Sequence, residues 1–291
     1  VHLVDGTYEL FRHHFALPSH RDASGVEVAA VRGVMGTVLN LLEEGATHLG
    51  VATDHVIESF RNDLWPGYKT SAGIDPELLA QFEPLEDALR ALGVTVWPMV
   101  ELEADDALGA AAAVAAADAR VEQVVICTPD KDLAQAVVGE RVVQLDRRKG
   151  TVRDEAGVVE RFGVAPGSIP DWLALVGDSA DGFPGLPGWG AKTAATVLAR
   201  YGRVEEIPPD PGEWDVAVRG REKLAATLAE RRDEAALFKL LATLRTDADV
   251  GAVDDWLWRG PSPDLHRWCE RLGAARMADR AEHLAQLRSP R

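Results

Sequence analysis

Nine carboxylates in five short groups offer this chain its chemistry: Asp5, Asp54, Glu103-x-Asp105-Asp106, Asp130-x-Asp132 and Asp178-x-x-Asp181. Two like charges about 4 Å apart repel by roughly 1 kcal/mol in water, and by roughly 4 kcal/mol at an effective dielectric of 20. Acids crowded this way titrate abnormally or drive a site apart unless cations sit among them. An all-oxygen donor set with few or no histidines suits Mg²⁺ or Mn²⁺. A pair of such ions about 4 Å apart can activate a water and stabilise the leaving oxygen of a phosphodiester. That reaction needs no side-chain nucleophile, and the sequence shows none with a convincing base beside it. Taken singly, each acid has a plainer use. Asp5 before Gly6-Thr7 and Asp130 before Lys131 fit helix caps, and Glu103–Asp106 fits an acidic first turn. On a helix, Glu103 and Asp106 share a face at i, i+3, and Asp178 and Asp181 do the same if their helix extends that far. Their recurrence after strand ends favours a joint site.

The elements that must position them alternate. Strand patterns at Val1–Val4, His48–Thr53, Val94–Trp97, Gln123–Thr128 and Arg141–Leu145 are interleaved with helical patterns at Val26–Leu42, Pro76–Leu92 and Glu103–Ala117. Such alternation predicts an α/β fold with a mostly parallel sheet flanked by helices. Ligands of such sheets gather beyond the carboxyl ends of the strands, where Asp5, Asp54 and Asp130 fall. After about residue 153 the strand signals thin. Asp154–Phe162, Pro170–Gly177, Ala191–Tyr201, Val216–Arg232 and Asp233–Leu244 read as helices. The expected domains are therefore 1–153 as the α/β core, 154–250 as a helical module, and 251–291 as a helical tail of unassigned role.

A second feature is Gly185-Leu186-Pro187-Gly188-Trp189-Gly190-Ala191-Lys192-Thr193. Its glycines permit close backbone approach, and the helix that follows turns its first amides toward whatever sits there. Lys192 and Thr193 add a charge and a hydroxyl. Gly185, Gly188, Gly190, Lys192 and Thr193 thus form a candidate phosphate grip that would hold a backbone without reading sequence. The plainer alternative is a Gly/Pro turn between helices. The string does not have the spacing of a P-loop.

The net charge of −16, from 47 acidic and 31 basic residues, argues against nucleic acid if read alone. Setting the nine proposed ligands aside leaves about −7, and two Mg²⁺ would return four charges locally. The two cysteines, Cys127 and Cys269, form no CxxC pair, so neither a zinc site nor a disulfide framework is expected. No apolar run reaches the roughly 20 residues of a membrane span. The opening Val1-His2-Leu3-Val4-Asp5 lacks the basic start of a signal peptide, and a start at Val reads as part of a slightly longer protein. The expectation is a cytoplasmic protein.

In order along about residues 1–250, these strings resemble the 5′-nuclease (flap endonuclease) family in its bacterial, stand-alone form, and the 5′-nuclease domain found in DNA polymerase I. They are Leu3-Val4-Asp5-Gly6, Phe60-Arg61-Asn62-Asp63-Leu64-Trp65-Pro66-Gly67-Tyr68-Lys69, Glu103-Ala104-Asp105-Asp106, Thr128-Pro129-Asp130-Lys131-Asp132, Leu175-Val176-Gly177-Asp178-Ser179-Ala180-Asp181, and the glycine segment 185–193. The resemblance implies a PIN-like core, a helical arch near 55–80, and a helix–hairpin–helix near 180–201. It implies metal ligands at Asp5, Asp54, Glu103, Asp105, Asp106, Asp130, Asp132, Asp178 and Asp181. It also implies roles at the scissile phosphate for Arg61, Lys69 and Arg12, stacking near the terminal base for Tyr68, and a K⁺ site at the helix–hairpin–helix. Two departures stand out: Ala72 replaces a basic arch residue, and Gly182 follows Asp181 where polymerase relatives often carry Asn.

The function expected is a metal-dependent 5′ nuclease acting on structured DNA such as a 5′ flap, a nicked or 5′-ended duplex, or an RNA primer. It would act as a monomer, in the cytoplasm at the nucleoid, in replication and repair. The alternatives are a PIN-type ribonuclease and a non-catalytic DNA-junction binder. The glycine segment and the chain length count against the first, and the nine retained acids count against the second.

Overall fold

The computed structural model describes residues 1–288; positions 289–291 of the predicted tail lie outside the described residues. Along the chain run β1 (His2–Asp5), α1 (Gly6–Ala16), α2 (Ala29–Glu43), β2 (Leu49–Asp54), α3 (Phe60–Leu64), α4 (Pro76–Leu79), α5 (Phe82–Ala91), β3 (Thr95–Met99), α6 (Ala104–Ala117) and β4 (Val124–Cys127). There follow β5 (Val142–Asp146), β6 (Thr151–Arg153), α7 (Glu155–Phe162), α8 (Ile169–Val176), α9 (Ala191–Tyr201), α10 (Arg221–Glu230), α11 (Arg232–Ala242), α12 (Leu265–Arg271) and α13 (Ala275–Arg288).

The chain folds as two compact units. The first comprises 1–57, 71–128 and 246–291, and the second 58–70 and 129–245. These divisions differ from sequence boundaries at 153 and 250.

In the first unit, β1–β4 form a parallel sheet in the order β3-β2-β1-β4. The chain steps outward from β1 to β3 and then returns to the other side of β1. The carboxyl ends of β1 and β4 therefore flank a topological switch point, where open α/β sheets leave a crevice. The strands are short and apolar: Leu3, Val4, Leu49, Val51, Val124 and Ile126 are fully buried. The alanines of α6, a strong helix former, let that helix pack along all four strands. The predicted helix over Pro76–Leu92 is interrupted. Asp75 caps α4 by accepting from the Glu77 amide, α4 ends after one turn, and α5 restarts beyond Ala80-Gln81. The side chain of Gln81, fully buried, accepts from the Ala30 amide and so fixes the break against α2.

The segment from 246 to 288 completes this first unit. Trp97 and Trp256 meet edge to face with centroids 5.4 Å apart, and both indole N–H groups donate to the Val250 carbonyl, at 3.2 and 2.7 Å. Trp258 donates from its backbone N–H to Thr47 and from its indole to Leu92. Arg271 pairs with Asp22 and Arg280 with Glu43. The predicted tail of unassigned role is thus a brace on the parallel sheet and its helices. Among the described residues, no helix is long and apolar enough to cross a membrane.

In the second unit, β5 and β6 make an antiparallel hairpin. The helices α8–α11 share a core with Phe162, Phe183, Leu186, Trp189 and Phe238. The segment 58–70 belongs to this core: Trp65 meets Phe238 edge to face at 5.3 Å, and Phe238 stacks on Phe183 at 5.6 Å. Short-range patterning had no purchase on α3, five residues held by a capping box between Ser59 and Asn62.

Trp256→Ala should cost about 3–5 kcal/mol, the usual cost of deleting a buried aromatic. Urea unfolding followed by tryptophan fluorescence would register it, and an unchanged midpoint would refute the bracing role.

Candidate metal centre and phosphate-gripping hairpin

In the first unit Asp5 and Asp54 end the adjacent strands β1 and β2, and Glu103, Asp105 and Asp106 stand at the start of α6. Asp5 is the last residue of β1 and caps α1: its Oδ1 accepts from the Tyr8 amide at 2.8 Å, and its Oδ2 accepts from the Thr128 hydroxyl at 2.9 Å. The helix can begin this close to β2 because residue 6 is glycine; a Cβ there would lie 2.7 Å from the Ala52 carbonyl oxygen. Asp54 ends β2. Its amide donates to Thr7 Oγ1 at 2.8 Å, and its Oδ1 accepts from the Ala104 amide at the start of α6 at 2.7 Å. Glu103 and Asp106 close that helix's capping box, with the Glu103 amide donating to Asp106 Oδ2 at 3.0 Å. Asp5, Asp54, Glu103 and Asp106 are buried, and Asp105 is half-buried. Capping does not exhaust these side chains, because one carboxylate can serve an amide while keeping lone pairs for another partner.

The second unit brings Asp132, Asp178 and Asp181 together, with one carboxylate oxygen from each within 4.8 Å of the others. Burial, then the charges of Asp130, Asp181 and Asp178, hold the Asp132 carboxyl well above the usual carboxylate range. Asp132 Oδ1 is buried and has no hydrogen-bond partner in the structure. An orphaned carboxylate oxygen among acids is what a cation would satisfy, so the donor set fits a hard divalent ion. Lysines already supply positive charge. Lys131 pairs with Asp178 Oδ2, and Lys69 Nζ lies 3.1 Å from Asp181 Oδ1. Burial works against the Lys131 ammonium, but Asp132, Asp178 and Asp130 outweigh it and its pKa is raised.

Asp178 and Asp181 do not share a helix face. The helix α8 stops at Val176, and the two acids sit in the turn beyond it, where Asp178 Oδ1 accepts from the Ala180 amide at 2.9 Å. That turn abuts the segment 65–69. The Lys69 amide donates to the Asp181 carbonyl at 3.0 Å, and the Trp65 indole donates to the Gly182 carbonyl at 3.0 Å. Gly182 has φ +82°, and a Cβ on it would fall 2.0 Å from the Gly67 carbonyl oxygen. Both the left-handed backbone and the close Gly67 carbonyl favour glycine at this position of the chain.

Arg61 and Tyr68 of the arch segment lie buried in this structure. Arg61 is only 2% exposed; its Nε donates to the Leu241 carbonyl at 2.8 Å and its Nη2 to the Thr243 carbonyl at 3.2 Å. In this conformation it braces α11 and does not present its guanidinium to a phosphate. Tyr68 is 3% exposed and packs with the unit's core, with the Lys69 ammonium 5.6 Å from its ring centroid. Lys69 keeps a partly exposed side chain at the acidic cluster. In the first unit, Arg12 bridges Glu9 at 2.5 Å and His13 at 2.8 Å. Ala72 is exposed.

The glycine segment joins α8 to α9. Gly177 and Gly185 press backbone to backbone: a Cβ on Gly185 would lie 2.3 Å from the Gly177 nitrogen. The Leu186 amide donates to the Leu175 carbonyl at 2.8 Å. The outer residues Gly188 and Gly190 have room around them, with nothing closer than 3.9 Å to a Cβ on either. Lys192 is exposed and Thr193 half-buried on the first turn of α9. Gly185 therefore shapes the turn, while Gly188, Gly190, Lys192 and Thr193 make its accessible rim. The sequence reading passed over Thr7, Thr128 and Lys131 as contributors. Only Lys131, a cation between two aspartates, carried a signal that could have marked it.

Comparison with known proteins agrees with this geometry. Residues 1–163 match the family model for the 5′-3′ exonuclease N-terminal, resolvase-like domain, and residues 164–264 match that for the 5′-3′ exonuclease C-terminal SAM fold. The chain is 37% identical over 268 residues to DNA polymerase I of Pseudomonas aeruginosa, covering 89% of this chain and 28% of that protein. It is 35% identical over 254 residues to DNA polymerase I of Bacillus subtilis, covering 85% and 28%. The chain thus spans under a third of these relatives. Among solved structures, the T5 5′-exonuclease with bound divalent metal ions (zinc) aligns at a TM-score of 0.66 and 18% identity, covering 98% of this chain and 97% of that one. The catalytic core of Rad2 in complex with DNA substrate aligns at 0.62 and 17%, covering 97% and 90%. At these identities the structural likeness shows the fold.

Asp132→Asn tests the buried acid. A carboxyl with a raised folded pKa binds more protons in the native state than in the unfolded one, where its pKa is about 3.9. The stability of the metal-free protein should therefore fall as pH climbs from about 4 through the raised value. Melting in EDTA should find Asp132→Asn more stable than the parent above that window, by about 1–3 kcal/mol, and equal to it near pH 4. Parallel melting curves at every pH would contradict the assignment.

Proposed function

Because the chain belongs to the 5′-3′ exonuclease family, we propose that it is a divalent-metal-dependent nuclease hydrolysing phosphodiesters at the 5′ ends and 5′ flaps of structured DNA. The observation that carries this reading is the trio Asp132, Asp178 and Asp181 with the orphaned Asp132 oxygen. Asp130, Asp132, Asp178 and Asp181 would hold Mg²⁺ or Mn²⁺ in the second unit, as Asp5, Asp54, Glu103, Asp105 and Asp106 would in the first. Bound there, the cations would supply an activated water and charge neutralisation for the leaving oxygen.

The chain's own residues do the rest. Thr128 and the Ala104 amide aim the carboxylates of Asp5 and Asp54, and Thr7 holds the Asp54 backbone amide. Lys69 and Lys131 neutralise the second cluster, and either can swing to a phosphate oxygen when a cation takes its place. The rim Gly188, Gly190, Lys192 and Thr193 grips a phosphodiester backbone, with K⁺ as a further cation that such a turn could hold. Arg12 offers a further charge in the first unit. A DNA flap and an RNA primer share the backbone these groups recognise. The protein is read as a monomer of the cytoplasm, working where DNA is replicated and repaired.

The deciding assay is cleavage of a 5′-labelled DNA flap with Mg²⁺ or Mn²⁺, beside EDTA, Asp130→Asn and a matched RNA flap. The expected result is metal-dependent release of the flap, reduced at least about 100-fold by the substitution, since even outer partners of metal ligands are worth 10–100-fold. Preference for the RNA flap would favour a ribonuclease, and intact junction binding without cleavage would favour a binding protein. Flap binding should also weaken steeply with salt, because it rests on phosphate contacts. Salt-insensitive, metal-independent binding measured by fluorescence anisotropy would contradict the proposal.

A further inference from the structure

Glu86 is a buried acid that none of the proposed chemistry uses. It sits on α5 with 2% of its surface exposed. Its Oε1 accepts from the fully buried Thr53 hydroxyl at 2.8 Å. Both of its oxygens lie 3.1 Å from Nδ1 of His55, and Arg90 Nη2 is 3.8 Å from Oε2. A carboxylate withdrawn from water costs stability unless it is fully hydrogen-bonded. What Glu86 gains for that cost is a hold on the residues immediately before and after Asp54.

Residues 53–55 are tied to three helices within the first unit. The side chains of Thr53 and His55 reach Glu86 of α5. The amide of Asp54 reaches Thr7 of α1, and its carboxylate reaches the first amide of α6. Thr53 and Asp54 are consecutive strand residues, so their side chains leave opposite sides of the strand. Glu86 therefore grips the strand from behind the carboxylate. Reactive groups must be held to within about 0.5 Å, and their own supports set that tolerance. We infer that Glu86 is a positioning residue for Asp54: by clamping Thr53 and His55 it fixes the end of β2, and with it the carboxylate that would ligate a divalent cation. This rests on the reading of Asp54 as a metal ligand.

The test uses the full chain and two readouts: Mn²⁺ binding by titration calorimetry, and the Mg²⁺ dependence of flap cleavage with kcat and KM resolved. Glu86→Ala should weaken Mn²⁺ binding and raise the Mg²⁺ needed for half-activation by about 10–100-fold, with KM for the flap within about twofold. Glu86→Gln should restore most of the loss, because its amide oxygen still accepts from Thr53. If Glu86→Ala does not fold, Thr53→Val with His55→Ala removes the clamp from its other side, and the same shift in metal requirement is expected. A lowered melting temperature with unchanged Mn²⁺ affinity and Mg²⁺ requirement, in either form, would make Glu86 a structural residue only and overturn the inference. Asp54→Asn separates the two layers. If it leaves Mn²⁺ binding unchanged, the ligand reading of Asp54 fails and the inference with it. If it weakens Mn²⁺ binding while Glu86→Ala does not, the clamp alone fails.

Discussion

Carboxylates kept out of water are the constraint both units must meet, and in the second unit they are also kept close to one another. Asp132 bears such a cost: it is buried, and burial with the charges of Asp130, Asp181 and Asp178 pushes it toward its protonated form. Packing cannot relieve it, because apolar neighbours only deepen the desolvation. Relief requires positive charge, and the structure supplies it from the local chain: Lys131 on Asp178 and Lys69 on Asp181. The turn carrying Asp178 and Asp181 is in turn shaped by Gly182, and the segment carrying Lys69 is held by the Trp65 and Lys69 hydrogen bonds to that turn. Much of the second unit's irregular structure serves to keep charges of opposite sign within reach.

The first unit manages its acids differently. There backbone amides and a hydroxyl are among the partners: Tyr8 and Thr128 for Asp5, Ala104 for Asp54, Glu103 for Asp106. Helix N-termini favour negative charge by their dipoles and unpaired amides, so starting α1 and α6 at these acids lowers the cost of gathering them. It also orients them, since each capping bond fixes one oxygen. Helix capping and cation binding, which compete as readings of the bare sequence, are complementary uses of one carboxylate in the folded chain.

Much of this was legible in the sequence because it depends on short-range pattern. The strands β1–β5 and the long helices α2, α6 and α9 follow from apolar runs and periodicity, and the parallel sheet follows from their alternation. The nine acids and the glycine turn were visible for the same reason. What escaped depends on tertiary partners. Arg61 looks like a surface cation and is buried because two carbonyls near the end of α11 accept from it. Tyr68 looks like an exposed aromatic and is absorbed into the second unit's core. The last forty residues gave only amphipathic patterning, and their bracing role emerges from long-range bonds such as the Trp258 indole to the Leu92 carbonyl and from Trp97 and Trp256 meeting over the Val250 carbonyl.

The burial of Arg61 has a consequence for how a basic segment can serve a phosphate. A guanidinium holding two carbonyls cannot reach a ligand without leaving them unpaired, and each buried carbonyl so exposed costs about 1–3 kcal/mol. Lys69 carries no such burden. Its backbone is held by Asp181, while its ammonium, on a flexible stem, rests on a carboxylate oxygen that a divalent ion would take over. Of the two basic residues in this segment, the arginine is spent on backbone carbonyls of its own unit, and the lysine keeps a partly exposed ammonium beside a carboxylate.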